Sequence, residues 1–431
     1  MRVTAAVLAV GGLAVAVAVA LEAASRSTSP PPGEDVAPIG GRGNDVARQN
    51  ETTGANVDAS ASAADASKLA TSMTAGNLEV VALFDGAAPR GVTVSTLHRI
   101  FVSFPRRDPD APFTVAELHD GRAVPYPDAD TNRIPPAAAR DKGFVSVQSV
   151  IVDPIDRLWV LDTGAIAMGP TELGGPKLVG IDLGTDSIFA TILLPRDVAF
   201  ATSYLEDVRF DLSRGRGGVA YITDSSATGP NGIIVVDLDS HKSWRRLNDH
   251  PSTKADKSFR PIVEGRVLEQ RDPGRRALKP PTIGADGLAL SSNGDELYYS
   301  PLASRHLYSV STKALAYQDT SEADVARTVK DLGEKGASDG LESDSEGRVY
   351  VTNYEANAIM RRRTNGSFET LVADPRVLWP DSLALGRDGF LYFTVNQRER
   401  EPQFHEGQDL RQKPYVLFRI PIDASPLLLA K

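Results

Sequence analysis

The chain has 431 residues, of which 24% are charged, with 47 basic against 56 acidic side chains and a formal net charge of −9. That balance argues against a nucleic-acid binder, which needs a basic face for phosphates. There is no cysteine, which excludes disulfides, cysteine–zinc sites, iron–sulfur clusters, cysteine nucleophiles and a lipid-bearing cysteine.

In chain order, Met1-Arg2 makes a short positive start and Val3 to Leu21 is apolar and uncharged. Small residues follow at Ala18-Val19-Ala20 and Ala23-Ala24, as signal cleavage requires. The run is also close to the length of a membrane span. Residues 1–24 therefore read as a signal peptide or a membrane anchor, and the protein is expected to be secreted, in a periplasmic or extracellular space. Residues 25–76 are rich in Ser, Ala and Pro with few large apolar side chains. Such a segment cannot bury enough surface to offset its ordering entropy, so it reads as a disordered linker. Residues 77–424 are assigned to one folded domain.

The first strand signal is Leu78 to Phe84, which stands alone. Arg99–Phe104 and Phe113–Leu118 come next. Val147–Asp153 is followed by Arg157–Asp162. Tyr204–Phe210, Gly218–Asp224, Gly232–Asp237 and Ser243–Leu247 then give four strands in a row. Residues 248–281 are charged, bear prolines and show little strand pattern, so a long loop on one face is expected, of the kind that carries function. Ala285–Leu290 with Glu296–Ser300, Ser338–Ser343 with Arg348–Asn353, and Pro380–Leu385 with Phe390–Asn396 complete the series. The best helical candidate is Ser321–Val329. Glycine closes the turns Ser292-Asn293-Gly294, Ser345-Glu346-Gly347 and Arg387-Asp388-Gly389, where a hairpin needs left-handed backbone.

The same unit thus recurs: a polar cluster with an acid or amide, an apolar strand, a turn, and a second apolar strand. Repeated hairpins tens of residues apart mean a propeller, solenoid or array. Strands such as Leu391–Val395 are apolar almost throughout, as between stacked blades. The expectation is an all-β, six-bladed β-propeller of four-stranded blades. The lone strand Leu78–Phe84 closes the ring by pairing into the last blade. In that fold the first strand of each blade lines the channel, and its polar start recurs around one axis.

Four stretches resemble the yellow/major royal jelly protein family: Val147–Gly164, Gly232–Pro251, Asp286–Val310 and Trp379–Gln397. The likeness runs from about Leu78 to Pro421; the absence of cysteine sets this chain apart from insect members, and its Ala/Arg/Asp-rich style looks bacterial. It implies a secreted six-bladed propeller. It also implies a small organic ligand such as an aromatic amine, or a dopachrome-type isomerase activity. More distantly, the Asp-Gly starts are similar to the gluconolactonase/regucalcin propellers. That likeness implies a metal-dependent lactonase acting on a sugar lactone, with Ca²⁺ or another divalent cation. In it Asp286 and Asp339 match metal ligands, Glu206-Asp207 falls near a third, and the first-blade glutamate has no counterpart. Asp207, Asp286 and Asp339 are therefore the metal candidates.

The candidate ligand-binding set is Gln148, Asp207, Asp286, Asp339 and Asp381 at the first-strand starts, with Asp162, Asn353 and Asn396 at the second-strand ends. Asp224 ends a second strand in the same way. Two readings stand side by side. Either the carboxylates converge on a cation or an amine, or each caps its own hairpin as turn aspartates do. Converging, unpaired carboxylates would raise one another's pKa. Tyr298, Tyr299, Tyr350, Tyr354, Tyr392 and Phe393 read as packing between blades or as stacking surfaces for an aromatic ligand. The six histidines show no metal spacing, and no nucleophile elbow, phosphate loop or dinucleotide fingerprint occurs.

Overall fold

The computed structural model describes residues 76–107, 111–271 and 277–431. The expected export signal, and the linker up to residue 75, lie outside the described residues.

Six four-stranded antiparallel sheets form the blades, and two two-stranded ribbons accompany them. Blade 1 is Val92–Val94, Ile100–Ser103, Val115–His119 and Arg122–Pro125. Blade 2 is Val147–Val152, Arg157–Thr163, Pro176–Asp182 and Ser187–Leu193. Blade 3 is Leu205–Asp211, Val219–Asp224, Gly232–Asp237 and Ser243–Arg246. Blade 4 is Ala285–Leu290, Glu296–Pro301, His306–Ser311 and Lys330–Glu334. Blade 5 is Leu341–Ser343, Val349–Asn353, Ala358–Arg362 and Phe368–Ala373. Blade 6 combines Pro380–Leu385, Phe390–Val395 and Tyr415–Pro421 with the N-terminal strand Glu79–Phe84 as its outermost member.

That last pairing runs antiparallel from Glu79 opposite Arg419 to Phe84 opposite Tyr415. It joins the two ends of the domain in one sheet and removes the open edge that an unclosed array would leave. The innermost strands contact one another in sequence around the ring, and the first touches the last.

The core lies between blades. Trp159 of blade 2 stacks on Phe210 of blade 3 with centroids 5.2 Å apart. Leu391, Phe393 and Phe418 of blade 6 pack against Tyr350, Ile359 and Val372 of blade 5. Each such fully buried side chain contributes roughly 1.5–3 kcal/mol from the area removed from water. Tyr299, Tyr350, Tyr392 and Phe393 are all buried in these interblade clusters.

The short helix Glu322–Arg327 forms with Ser321 as its N-cap, the hydroxyl accepting from the Asp324 amide. A second helix, Thr312–Ala316, is too short to carry a periodic pattern and is capped by Ser311, whose hydroxyl accepts from the Ala314 amide. The 248–281 insertion carries a 3-10 turn, Pro251–Thr253, and two short ribbons, Ile262–Val263 with Arg266–Val267 and Gln270–Arg271 with Leu278–Lys279. Order also continues past residue 424. The Leu212 amide donates to Leu429, Ser345 donates to Ser425, and Asp344 bridges Pro426. This C-terminal strap crosses the end of the channel where the inner strands finish, and lines a cavity of about 90 Å³ there with Ile151, Arg209 and Phe210.

Candidate functional site

The other end of the channel, where the inner strands begin, carries the chemistry. In four blades the inner strand opens with an irregularity in its pairing to the second strand, between Val147 and Ser149, Leu205 and Val208, Ala285 and Leu288, and Pro380 and Leu383. A bulge re-aims one side chain. Here it is Gln148, Glu206, Asp286 and Asp381, and Asp339 occupies the same place in blade 5, all lining one axial cavity. The residue after each packs against the next blade. A Cβ on Gly287 would collide with the Asp339 carbonyl, and one on Gly340 with that of Asp381. Glycine at these two places is a requirement of close approach.

This register corrects one expectation. Glu206, rather than Asp207, stands at the repeated position in blade 3. Both residues are acidic, so the pattern could not separate them; the bulge does. Asp207 lines the same cavity from one layer deeper, where its carboxylate accepts from Arg209 at 2.6 Å and from Ser149 Oγ at 3.1 Å. Arg209 also donates to the Leu341 carbonyl at 2.6 Å and lies 3.5 Å from Glu342. With that cation already bound to it, Asp207 is withdrawn from the metal candidates.

Glu206, Asp286 and Asp339 present carboxylate oxygens that all lie within 4.8 Å of one another. All three are buried. Glu206 accepts from the Gln148 amide and from Ser225 Oγ at 3.2 Å. The Tyr204 hydroxyl donates to Gln148 Oε1 at 2.8 Å. Asp339 Oδ2 accepts the Trp379 indole N–H at 2.7 Å. Asp286 Oδ1 is buried with no hydrogen-bond partner. Burial pushes the Glu206 carboxyl up to about 7; Arg107 opposes the rise and Asp339 adds to it. Burial, then Glu206 and Asp339, hold Asp286 well above the usual carboxylate range.

Asp381 completes the acidic arc. Asn396 Nδ2 donates to its Oδ2 at 2.6 Å, and Arg90 Nη1 lies 3.6 Å away. Burial and then Asp339 raise it, against Arg90. Arg90, just before the inner strand of blade 1, stands where the other blades place an acid or amide, with Arg90-Gly91 echoing Asp286-Gly287. This was missed because Val92–Val94 is only three residues long.

The second-strand ends divide. Asn396 reaches the cluster through Asp381. Asp162 instead accepts the Val145, Ser146 and Gly164 amides and pairs with Lys177 at 2.8 Å. Asp224 accepts from the Tyr204 amide and pairs with Arg245 at 2.8 Å. Asn353 accepts the Glu355 and Ala356 amides. These three hold strand entries and turns. The residue beside them does more. Thr223 Oγ1 accepts from the Asp207 amide and donates to the Asp286 carbonyl. Ser103 links Gly91 to Gln148 in the same way, and Thr394 links Ser382 to Arg90. One hydroxyl thus ties each of these inner strands to the next.

A roof covers the mouth. Trp379 stacks on Tyr354 with centroids 4.0 Å apart and planes 7° from parallel. Trp379 holds a φ of 53°, a costly conformation for a bulky side chain of the kind found where a site demands a fixed orientation. Phe259, Val263 and Leu268 of the insertion join Tyr354, Trp379 and Phe404 in one buried cluster. Arg266 reaches from the insertion to the Phe404 carbonyl and to His405. Beneath the roof, Arg90 donates to Glu401 at 2.7 Å. Burial would raise Glu401, but Arg90, Arg398 and Arg107 outweigh it and pull the carboxyl down to about 2. Lys335, buried beside the mouth, is pushed down to about 7 by burial, against Asp286 and Glu355.

The donor set fits a hard divalent cation. Oxygens bound to one ion at about 2.4 Å stand no more than about 4.8 Å apart, and these three lie within that limit. The orphaned Asp286 oxygen supplies a lone pair without a donor. The cavity measures about 20 Å³. That is room for an ion or a water, far below the roughly 300 Å³ at which pockets for organic ligands begin.

The sequence model of the family described as "Major royal jelly protein" matches residues 145–400. Among curated proteins, major royal jelly protein 1 of Apis mellifera is 29% identical over 208 residues, covering 47% of this chain and 44% of that one. Protein yellow of Drosophila melanogaster is 27% identical over 236 residues, covering 52% and 41%. The chain spans less than half the length of these relatives. Among solved structures, a gluconolactonase from Xanthomonas campestris shows 13% identity and a TM-score of 0.48, covering 80% of this chain and 89% of that one. A calcium-binding regucalcin from Agrobacterium tumefaciens shows 14% and 0.49, covering 84% and 99%. The propeller assignment rests on the strand topology of this chain and not on those two likenesses.

Proposed function

This chain belongs to the major royal jelly protein family, and from that premise and the acidic mouth we propose that it is an exported propeller that holds a divalent cation on its axis and binds a small organic molecule there. The observation that carries the reading is the convergence of Glu206, Asp286 and Asp339 with one buried Asp286 oxygen left unpartnered. Three buried carboxylates so close together repel one another, and a cation turns that repulsion into a binding site. Ca²⁺ suits the all-oxygen set. Gln148 holds Glu206, Trp379 holds Asp339, and Asn396 holds Asp381 beside them. Such supporting hydrogen bonds orient ligands around a metal.

The cavity takes the ion alone, so an organic ligand enters from above, by parting the roof of residues 251–271 and 398–406. A bound cation would polarise a carbonyl or ester oxygen of such a ligand. Lactone hydrolysis is therefore the reaction to test first. The competing partner, an aromatic amine, finds counter-charge in the acidic arc. Arg90 and Arg398, both buried on the other side of the mouth, weigh against a second cation.

Thermal unfolding with and without Ca²⁺, Mg²⁺ or Mn²⁺ tests the proposal. A ligand that binds only the native state raises the melting temperature, and Asp286→Asn and Asp339→Asn should each abolish the rise. No shift with any of these ions in the wild type would overturn the cation reading. Turnover of sugar lactones, lost in Asp339→Asn with folding retained, would make the protein a hydrolase; no turnover would make it a binder. Export is tested by N-terminal sequencing of the secreted form, with cleavage expected between Ala20 and Ser25.

A further inference from the structure

Charge is divided unevenly around the mouth. Glu206, Asp286, Asp339 and Asp381 occupy successive blades, while Arg90 and Arg398 stand in blades 1 and 6 and Arg107 reaches from blade 1 to Tyr204 at the entry of blade 3. Two of these arginines keep guanidinium N–H groups that no protein acceptor takes. Arg398 is 6% exposed, yet among the described residues its guanidinium has no hydrogen-bond or ion-pair partner. Its guanidinium makes a cation–π approach to Trp379, 5.9 Å from the ring centroid. Its charge acts on Glu206, Glu401 and Tyr354, which places it at the mouth. The nearby carboxylate is already engaged: Glu401 takes Arg90 at 2.7 Å and the Gln403 amide at 2.6 Å. Arg107 lies over the Tyr204 ring at 4.9 Å and donates Nε to the Tyr204 hydroxyl at 3.0 Å, but its Nη1 is buried with no partner.

A guanidinium N–H held out of water without an acceptor is costly; Arg107 Nη1 is one, and Arg398 stands at the mouth with no protein acceptor, so both can take a partner that arrives from outside. We propose that Arg398 and Arg107 form an anion subsite that takes the carboxylate of a small hydroxycarboxylate, whose hydroxyl oxygen reaches the cation held by Glu206, Asp286 and Asp339. This deepens the reading above and rests on it for the cation half. A planar carboxylate matches the fork of a guanidinium. A more highly charged anion would meet Glu206 and Glu401 at close range. The hydroxyl is required because a hard cation takes oxygen donors. Hydroxycarboxylates are also what lactone hydrolysis releases, so the subsite would hold the product of that reaction. The Arg398 side chain can turn to admit the ligand without breaking a hydrogen bond, since it makes none.

The test uses three probes on the full chain at saturating Ca²⁺: gluconate, which has both groups; propionate, which lacks the hydroxyls; and sorbitol, which lacks the carboxylate. Binding is followed by calorimetry and thermal shift for the wild type, Arg398→Gln, Arg398→Lys and Arg107→Gln. Gluconate should bind best, propionate weakly and sorbitol not at all. Arg398→Gln should keep the Ca²⁺ shift and weaken gluconate at least tenfold, with Arg398→Lys recovering part of it. Without ligand, Arg398→Gln should melt close to the wild type, because no hydrogen bond within the protein is lost; an arginine with a purely structural role would give a lower melting temperature. Gluconate affinity unchanged in Arg398→Gln, or sorbitol binding equal to gluconate, would overturn the subsite. If Ca²⁺ gives no shift but gluconate and propionate still bind and lose affinity in Arg398→Gln, the anion subsite stands and the cation reading falls.

Discussion

Replacing Glu206 by Gln should flatten the pH dependence of the protein's stability in the absence of metal. Glu206 has an ordinary value of 4.5 that rises to about 7 in the fold. At ~1.4 kcal/mol per tenfold, the ionised form is disfavoured by about 3 kcal/mol relative to the unfolded chain. Between about pH 4.5 and pH 7 the native state holds a proton that the unfolded state has released. Stability therefore falls as pH rises through that window, and the loss is complete above it. Asp286 and Asp381, raised for the same reasons, add to the fall. Glutamine keeps an acceptor for Gln148 and cannot ionise, so the Glu206 share of about 3 kcal/mol should vanish. The assay is urea unfolding in chelator at pH 5 and pH 8. The wild type should lose several kcal/mol between the two, and Glu206→Gln distinctly less. At pH 8 a cation at 100 times its Kd should restore about 2.7 kcal/mol to the wild type and little to the variant. An equal fall with pH in both proteins, or an undiminished Ca²⁺ response in Glu206→Gln, would refute the argument that this carboxyl is strained by its neighbours and relieved by an ion.

Other outcomes follow from the same geometry. Trp379→Phe keeps the stack on Tyr354 but loses the N–H held by Asp339; Ca²⁺ affinity by calorimetry should weaken roughly tenfold, in the range seen when a ligand's supporting hydrogen bond is removed. Thr223→Val strips the link between the Asp207 amide and the Asp286 carbonyl, and urea unfolding should show a loss of about 1–3 kcal/mol from the groups left unsatisfied. Removing residues 1–77 should leave a cooperative melt at the wild-type temperature. Removing residues 1–86 takes the outer strand of blade 6 and should lower or abolish that melt; an unchanged melting temperature would show that Glu79–Phe84 does not close the ring.

Much of the architecture was legible from one dimension. Strands such as Leu391–Val395 are apolar on both faces, which only stacking between sheets satisfies. Repeated polar starts ahead of such strands imply a common axis. The isolated strand Leu78–Phe84 had no partner but the far end of the domain, and it pairs there. Where the pattern was short the reading failed. Val92–Val94 is too brief to show an alternation, and with it went Arg90, the basic member of an otherwise acid and amide ring. The residues sharing that ring were named from sequence in blades 2, 4, 5 and 6, but adjacent acids at Glu206-Asp207 left the third-blade position undetermined.

Period and composition decide which residues form strands and which strand edges face the axis, because side-chain alternation is a local property of the backbone. They do not decide which of two neighbouring carboxylates a bulge turns inward, since that depends on how each inner strand is held by hydroxyls such as Thr223 in the blade beside it. Nor do they reveal that Asp162 is taken by backbone amides and Lys177, while Asp286 keeps an oxygen without a partner. Partnership among buried charges is set by contacts between residues far apart in the chain, and the roof that brings Trp379 and Arg398 over the mouth exists only once the ring has closed.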